Sequence, residues 1–240
     1  MHVDDLGSVR LRRLAALLGV VGPVVFTVGW GLGQLLQEGR YDPGRDDISD
    51  LGALTARYPW VVLTGQAVGG AATVVFALLA LHFVVRGSRP GRVGAWLLAL
   101  SGLGLGNLSD TFFRLDCRAA DGCDTAHRTA SWHGTVHEVA GVTVLLLAMA
   151  PLVLTIAFRH LPGWSGFAHA SQAVGSVQLL LVMASLALTG HGGGGYVQRA
   201  AALLASTWTV ALAVRLLRRP RSLLASSADE PSPSTGTREG

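Results

Sequence analysis

The sequence contains no lysine and few charged residues of any kind. All 19 basic residues of the 240-residue chain are arginine, and charged residues make up 14% of it against 50% hydrophobic residues. Ordinary globular domains carry about 25% charged residues, so this composition argues against one. The exclusive use of arginine, with the abundance of alanine, glycine, valine and leucine, is typical of a GC-rich genome.

Charge is missing altogether from six long stretches. These uncharged runs are residues 14–37, 58–85, 93–109, 139–158, 160–198 and 200–214. A helix needs about 20 mainly apolar residues to cross a bilayer, and only helices and closed barrels satisfy their backbone groups in lipid. No run alternates polar and apolar residues as a barrel strand does. The sequence therefore predicts an all-α, polytopic membrane protein with six transmembrane helices, in which Arg199 and Arg215 snorkel outward to lengthen the short last span.

The arginines also predict the orientation of these helices. With six spans both termini lie on one side, which receives eleven arginines between residues 10 and 221 and a twelfth in the tail, whereas the other side has seven arginines and ten of the fifteen acidic residues. The positive-inside rule then places both termini in the cytoplasm and the chain in the cell membrane. The expected partner is the lipid bilayer and not nucleic acid, and the sequence identifies no protein partner.

The same reasoning divides the chain into three parts. Residues 1–13 form a cytoplasmic N-terminal segment, and residues 14–217 form the six-helix membrane domain. Residues 218–240 are rich in serine, proline, glycine and charge. Such a composition cannot bury a core, so we expect a disordered cytoplasmic tail.

The chain has two cysteines, Cys117 and Cys123, and both fall in the predicted outer loop between helices 3 and 4. Disulfides persist in oxidising compartments, and the turn-prone Ala-Asp-Gly between the cysteines allows a small closed ring. A metal-binding pair is the alternative, but its usual C-x₂₋₄-C spacing is absent. The favoured expectation is a disulfide.

Histidines and aspartates gather on the same predicted side. His133 and His137 lie one turn apart on one face at the start of helix 4. Two imidazoles in this arrangement can hold one metal ion such as zinc, with Asp110, Asp116 or His191 as a third ligand. The alternative is a structural or proton-linked network of hydrogen bonds.

A metal at this point would need a base beside it. The metal ion would lower the pKa of a bound water molecule, and Glu138 or Asp50 could then accept the proton of that water. Each residue also has a simpler interpretation. Glu138 favours the first turn of a helix electrostatically. Asp46, Asp47 and Asp50 could lie in a solvated loop, and Ser49 or Asp50 could cap helix 2 or a short preceding turn.

Several of these residues lie in stretches that resemble a known family. The stretches are RYDPGRDDISDLGA (40–53), GLGNLSDTFFRLDC (104–117) and HGTVHEVAG (133–141). They resemble the bacterial membrane family catalogued as domain of unknown function 998, over roughly residues 14–217. The resemblance implies a six-helix protein whose characteristic aspartate is Asp116 or Asp110. A more distant similarity, to the ceramidase and adiponectin-receptor hydrolases, implies a Ser49, aspartate and histidine set around zinc.

Two kinds of function follow for this integral membrane protein with a polar His/Asp cluster at its outer face. One is a metal-dependent (zinc) hydrolase of a lipid or amide at the outer leaflet. The other is non-catalytic: a small transporter or an accessory subunit of an envelope complex. The candidates for deep polar groups within the helices are Gln66, Asn107, Gln172 and Gln178.

Overall fold

The computed structural model describes residues 3–141, 143–188 and 192–218, in which all regular structure is helical. The α-helices are α1 (Val3–Leu35), α2 (Pro59–Val75), α3 (His82–Val85), α4 (Arg89–Leu100), α5 (Asn107–Phe112), α6 (Thr125–Arg128), α7 (Trp132–Ala140), α8 (Thr143–Arg159), α9 (Ser165–Ala187) and α10 (Gly194–Leu217). Two π-helical segments, Phe76–Leu81 and Gly102–Gly106, join α2 to α3 and follow α4. Residues 3–13 of the predicted N-terminal segment belong to α1, and its first two residues lie outside the described part of the chain. The predicted tail beyond Arg218, and His191, lie outside the described residues.

Five helical stretches are long and apolar enough to cross a membrane. They are Val9–Leu35, Pro59–Val85, Trp132–Arg159, Ser165–Ala187 and Gly194–Leu217. The prediction of an all-α membrane protein is therefore confirmed, whereas the count of six spans is not.

The remaining predicted span, residues 93–109, is not one helix. The backbone is extended at Ser101, where ψ is 173°, and Gly104 has non-helical dihedral angles of −100° and −106°. A run of alternating glycines, GLGLG, follows the break, and glycine is the residue that tolerates such conformations most readily. Two shorter helices, α4 and α5, thus replace the uninterrupted span.

One face of α1 shows how the bundle meets lipid. Its exposed large apolar residues recur every three or four positions, as expected for one face of a helix. They are Leu14, Leu17, Val21, Val24, Val28, Leu32 and Leu35. A continuous exposed apolar stripe of this length marks a surface that contacts lipid or protein, and here it runs along a helix of membrane-spanning length.

The opposite face of α1 packs closely on α2 and on α10. At the α1–α2 crossing two glycines meet: a Cβ atom added to Gly29 would lie 2.9 Å from the Cα of Gly65. Small residues at a helix crossing let the backbones approach and pack in lipid. The absence of side chains on Gly29 and Gly65 therefore allows the close crossing of α1 and α2.

The bundle has two distinct ends. The beginning of α1 and the end of α10 meet at one of them, where Arg12, Arg13 and Leu216 surround a small gap. The opposite end consists of the loops 36–58 and 113–131 and the beginning of α10, and we call it the loop end.

The α1–α2 crossing yields a first prediction. Gly29→Ala would force the two backbones apart, and overpacking of this kind costs about 1–3 kcal/mol of unfolding free energy. Gly31→Ala, on the same helix, is the matched control, because a Cβ there has no neighbour within 4 Å. Thermal unfolding in detergent should show a lower midpoint for Gly29→Ala and an unchanged or higher one for Gly31→Ala. Equal midpoints would contradict the crossing.

Candidate functional site

The two long loops of the loop end are joined by backbone hydrogen bonds. The amide N–H of Leu54 donates to the carbonyl of Leu115 at 2.9 Å. The Arg114 guanidinium donates to the carbonyls of Gly52 and Ala53, at 2.7 and 2.9 Å. Loop 36–58 and loop 113–131 therefore form one layer across the end of the bundle.

A disulfide joins Cys117 to Cys123 within this layer, with Cα atoms 6.3 Å apart. The ring that it closes contains Asp121, whose carboxylate accepts hydrogen bonds from Thr55 and from Arg118. The disulfide ring is thereby tied to the opposite loop.

A buried ion pair lies beneath the layer. The Arg128 guanidinium is 2.9 Å from a carboxylate oxygen of Asp50, whose side chain is 0% exposed, and 3.6 Å from Asp47. Asp50 also accepts a hydrogen bond from the amide of Ala119 at 3.3 Å. Burial raises the pKa of Asp50 to about 6, although Arg128 opposes this rise. Burial likewise raises the pKa of Asp47.

Arg199 is a second buried cation of the loop end, and the prediction that it snorkels outward is wrong. Its guanidinium donates to the hydroxyl of Tyr41, to the side chain of Gln34, and to the carbonyls of Asp46 and Gly195. The residue is only 6% exposed. These acceptors satisfy the guanidinium inside the protein, so it has no need of water.

Asp110 in α5 and His137 in α7 contact each other within the helix bundle, close to the loop end. The Nδ1 atom of His137 is 3.2 Å from an Asp110 oxygen and 2.8 Å from the carbonyl of Phe113. A carbonyl can only accept, so this hydrogen bond requires a proton on Nδ1. In the neutral imidazole Nε2 is then left as an acceptor, which is the form that serves as a general base or as a ligand.

His133 and Asp116 lie in different surroundings. The His133 ring is exposed and packs against Trp132 with ring centroids 3.8 Å apart. Asp116 accepts the amide N–H of Ser131 at 2.7 Å, and the N–H and hydroxyl of Ser131 hold its pKa below the usual range. These contacts hold the beginning of α7 against loop 113–131.

The four predicted metal ligands therefore do not form one group. Asp110 pairs with His137, whereas His133 and Asp116 belong to the start of α7. Among residues 3–141, 143–188 and 192–218, no three His, Cys, Asp or Glu side chains converge on a point that could hold a metal ion.

A cavity of about 420 Å³ extends from the loop end into the middle of the bundle. Small-molecule sites have volumes of roughly 300–1,000 Å³. Apolar lining comes from α8, α9 and α10 and includes Val144, Leu147, Val182 and Ala202. The polar lining residues are Asp47, Ser49, Gln66, Asn107, Arg128, His137, Glu138, Gln178, Ser185 and Gln198.

Three amide side chains in this lining are buried but incompletely bonded. Gln66, Asn107 and Gln178 are 3%, 5% and 1% exposed. Both polar atoms of Gln178, the Oε1 of Gln66 and the Nδ2 of Asn107 find no hydrogen-bond partner in the described part of the chain. Each such atom costs about 1–3 kcal/mol unless something in the cavity bonds to it.

The predicted site residues divide between the cavity and its surroundings. Ser49, His137 and Glu138 line the cavity. Asp50 and Asp110 lie behind this lining and hold Arg128 and His137 in place. Of the candidate deep polar groups, Gln66, Asn107 and Gln178 are buried in the lining, whereas Gln172 is exposed and accepts a hydrogen bond from Arg159.

Arg128 and Asp47 were not predicted as site residues. Nothing in the local sequence distinguishes Arg128 from the other loop arginines, and Asp47 was interpreted as part of a solvated loop. A possible signal was the run of three acids between residues 46 and 50, since a buried loop with such charges needs a cation from elsewhere in the chain.

Residues 20–215 match the family described as "Protein of unknown function (DUF998)". The chain belongs to the DUF998 family. The match begins within the first membrane-length helix, ends at residue 215 in the last, and includes both loops of the loop end and every residue that lines the cavity. No curated protein and no solved structure matches the chain.

The Arg128–Asp50 pair yields a second prediction. Arg128→Met leaves the Asp50 carboxylate buried without its cation, which costs roughly 3–5 kcal/mol of unfolding free energy at pH 7.5. The folded pKa of Asp50 lies near 6, above its ordinary value of 3.8. The folded state therefore binds a proton first, and part of the lost stability should return as the pH falls from 7.5 to 5.

Unfolding of the variant at both pH values would measure this effect. The double variant Arg128→Met/Asp50→Asn should recover most of the stability and lose the pH dependence. Arg57→Met is the control, because Arg57 pairs with the exposed Glu38 and such pairs contribute about 0–1 kcal/mol. Equal losses for the two single variants would contradict the assignment.

Proposed function

We propose that this chain binds a small amphiphilic molecule inside its helix bundle. The observation that carries the proposal is the cavity of about 420 Å³ with unpaired amide groups in its wall. Buried polar groups in proteins are nearly always bonded. Several exceptions in one wall support a ligand, or ordered water that a ligand displaces, as their partner.

The two kinds of lining define the character of this ligand. Gln66, Asn107 and Gln178 come from three different helices and offer both donors and acceptors without formal charge. The lining from α8 to α10 is mainly apolar, with Leu147 and Val182 among its residues. A molecule with both a polar and an apolar part satisfies these two surfaces together.

The entrance is consistent with a ligand that comes from the membrane. Val144 and Leu186 line the cavity and are also 38% and 60% exposed on the bundle surface. Glu138, which is exposed as well, lies beside them in the lining. An amphiphile could therefore enter near the beginning of α8 and the end of α9 with its polar group toward the loop end.

We place ligand binding ahead of metal-dependent hydrolysis. The hydrolase hypothesis needs His133, His137 and an aspartate in one group, but His133 stacks on Trp132 while His137 pairs with Asp110. A small transporter or an accessory subunit that senses or presents a lipid would both use the cavity.

The third prediction tests for a bound molecule. Mass spectrometry of the protein, purified in mild detergent, should detect one amphiphile per chain. Ala202→Phe, whose ring would occupy the cavity, should lose it. The matched control on the same helix is Ala211→Phe, which faces outward, and it should keep the molecule. Equal loading of the two variants, or an empty wild type, would contradict binding.

Gln178→Leu separates a binding residue from a structural one. It removes two unpaired buried polar atoms, so it should raise the unfolding midpoint of the empty protein while it weakens ligand retention. A structural network would instead lose stability. Gln172→Leu on the same helix is the control for a surface glutamine.

We also propose that the loop end faces the outside of the cell membrane. In the predicted topology the side of the termini has eleven arginines between residues 10 and 221 and a twelfth in the tail, against seven on the loop side, and an excess of arginine favours the cytoplasm. A disulfide in loop 113–131 supports the same orientation, because such bonds persist in oxidising compartments.

The fourth prediction tests this orientation. In spheroplasts, a membrane-impermeant maleimide should label the chain only after treatment with an impermeant phosphine reductant, which opens the Cys117–Cys123 bond. The Cys117→Ser/Cys123→Ser variant should remain unlabelled throughout. Labelling that requires lysis of the spheroplasts would reverse the orientation.

A further inference from the structure

The loop end carries more negative than positive charge around the cavity. The described side chains that line the cavity or interact with its charged lining residues include five carboxylates, Asp46, Asp47, Asp50, Asp110 and Glu138, and three guanidinium groups, Arg45, Arg128 and Arg199. Three carboxylates have close partners: Asp46 binds Arg45 at 2.7 Å, Asp50 binds Arg128 at 2.9 Å, and Asp110 binds His137 at 3.2 Å.

The two carboxylates without such a close partner, Asp47 and Glu138, both line the cavity. Asp47 has only the longer contact of 3.6 Å with Arg128, whose shorter contact is to Asp50. Glu138 contributes to the electrostatic field at Asp47, so the two groups lie near each other. Arg199 is a cation close to Asp47, but it does not line the cavity.

A second observation shows that the same cavity is built for a ligand. Gln178 is 1% exposed, lines the cavity, and has neither polar atom bonded within the described residues. Gln66 and Asn107 each have one such atom. These amides are uncharged, so the formal charge in the lining is confined to the part near the loop end.

This distribution selects the chemistry of the ligand. An anionic head group would be repelled by Asp47 and Glu138, because the one guanidinium group of the described lining, Arg128, is already shared between Asp50 and Asp47. A metal ion would need a set of three converging ligands, which the described residues do not provide. An organic ammonium group needs only charge-assisted hydrogen bonds to carboxylates.

We propose that the ligand is an amphiphilic amine: its ammonium group binds Asp47 and Glu138, an uncharged polar part lies beside the Gln178 amide, and its apolar body lies against the lining from α8 to α10. This inference rests on the proposed ligand-binding function and adds the charge of the ligand to it. Glu138 thereby recognises the head group, and the amides contact the part of the ligand just below it.

The experiment compares three ten-carbon amphiphiles, decylamine, decanol and decyl sulfate, with the full chain in lipid nanodiscs at pH 7.5. Ligand-induced shifts of the unfolding midpoint give apparent dissociation constants. Decylamine should bind most tightly. Glu138→Gln and Asp47→Asn should each weaken decylamine about tenfold, as expected for a lost charged hydrogen bond, and leave decanol unchanged.

Two controls make the result specific. Glu38→Gln changes another loop-end glutamate in the same way, but Glu38 is exposed, pairs with Arg57 and does not line the cavity, so decylamine should bind this variant normally. Ala202→Phe should abolish binding of every probe that uses the cavity. Any shift of the unfolding midpoint that remains in this variant is then due to simple partition of the probe into the nanodisc.

The outcomes separate this inference from the proposed function. If decanol or decyl sulfate binds as well as decylamine, and only Ala202→Phe prevents it, the cavity binds a ligand but the ammonium assignment is wrong. Equal loss of decylamine affinity in Glu38→Gln and Glu138→Gln would also overturn the assignment. If no probe binds and the purified protein carries no amphiphile, both proposals fail.

Discussion

The arrangement of the loop end depends on the buried ion pair between Arg128 and Asp50. The pair joins the 3-10 turn Ser49–Gly52, which precedes α2, to α6, which precedes α7. Only three residues separate Arg128 from the beginning of α7. The position of Asp50 therefore determines where α7 begins, and with it the positions of His137 and Glu138 at the cavity.

Such a pair is a poor source of stability, because removing two charges from water costs about as much as their attraction returns. Its effect is to select one arrangement of the loops. A displaced Arg128 would leave Asp50 buried and unpaired, which is far less favourable than the observed contact at 2.9 Å. The Asp50 carboxylate is thus paired with its cation, whereas amide atoms of the cavity wall, and also the Nε of Arg128, have no hydrogen-bond partner in the described part of the chain. A merely structural polar network would be paired in both places.

The sequence predicted the helices better than it predicted the site. Long uncharged runs depend on neighbours along the chain, so five of the six predicted spans could be found from them. The site depends on contacts between distant residues, such as Asp50 with Arg128. Whether Gln66, Asn107 and Gln178 meet depends on the rotation of three helices about their axes, which apolar composition does not specify. Arg199 was misjudged because a terminal arginine is usually satisfied by water, while here Tyr41 and Gln34 satisfy it.

The broken span forms part of the cavity wall. Gly102, Leu103 and Asn107 belong to the break or follow it directly, and all three line the cavity. At the break α2 approaches so closely that a Cβ on Gly70 would lie 2.7 Å from the carbonyl of Gly104. An uninterrupted helix satisfies its own backbone N–H and C=O groups in lipid, whereas a break leaves some of them without partners. A break in a membrane helix is therefore tolerated mainly where it is buried in protein or lines a cavity. Interrupted membrane helices and π-helical segments occur preferentially at binding sites. The sequence GLGLG is therefore a more direct indication of the proposed ligand cavity than the His133 and His137 pair is.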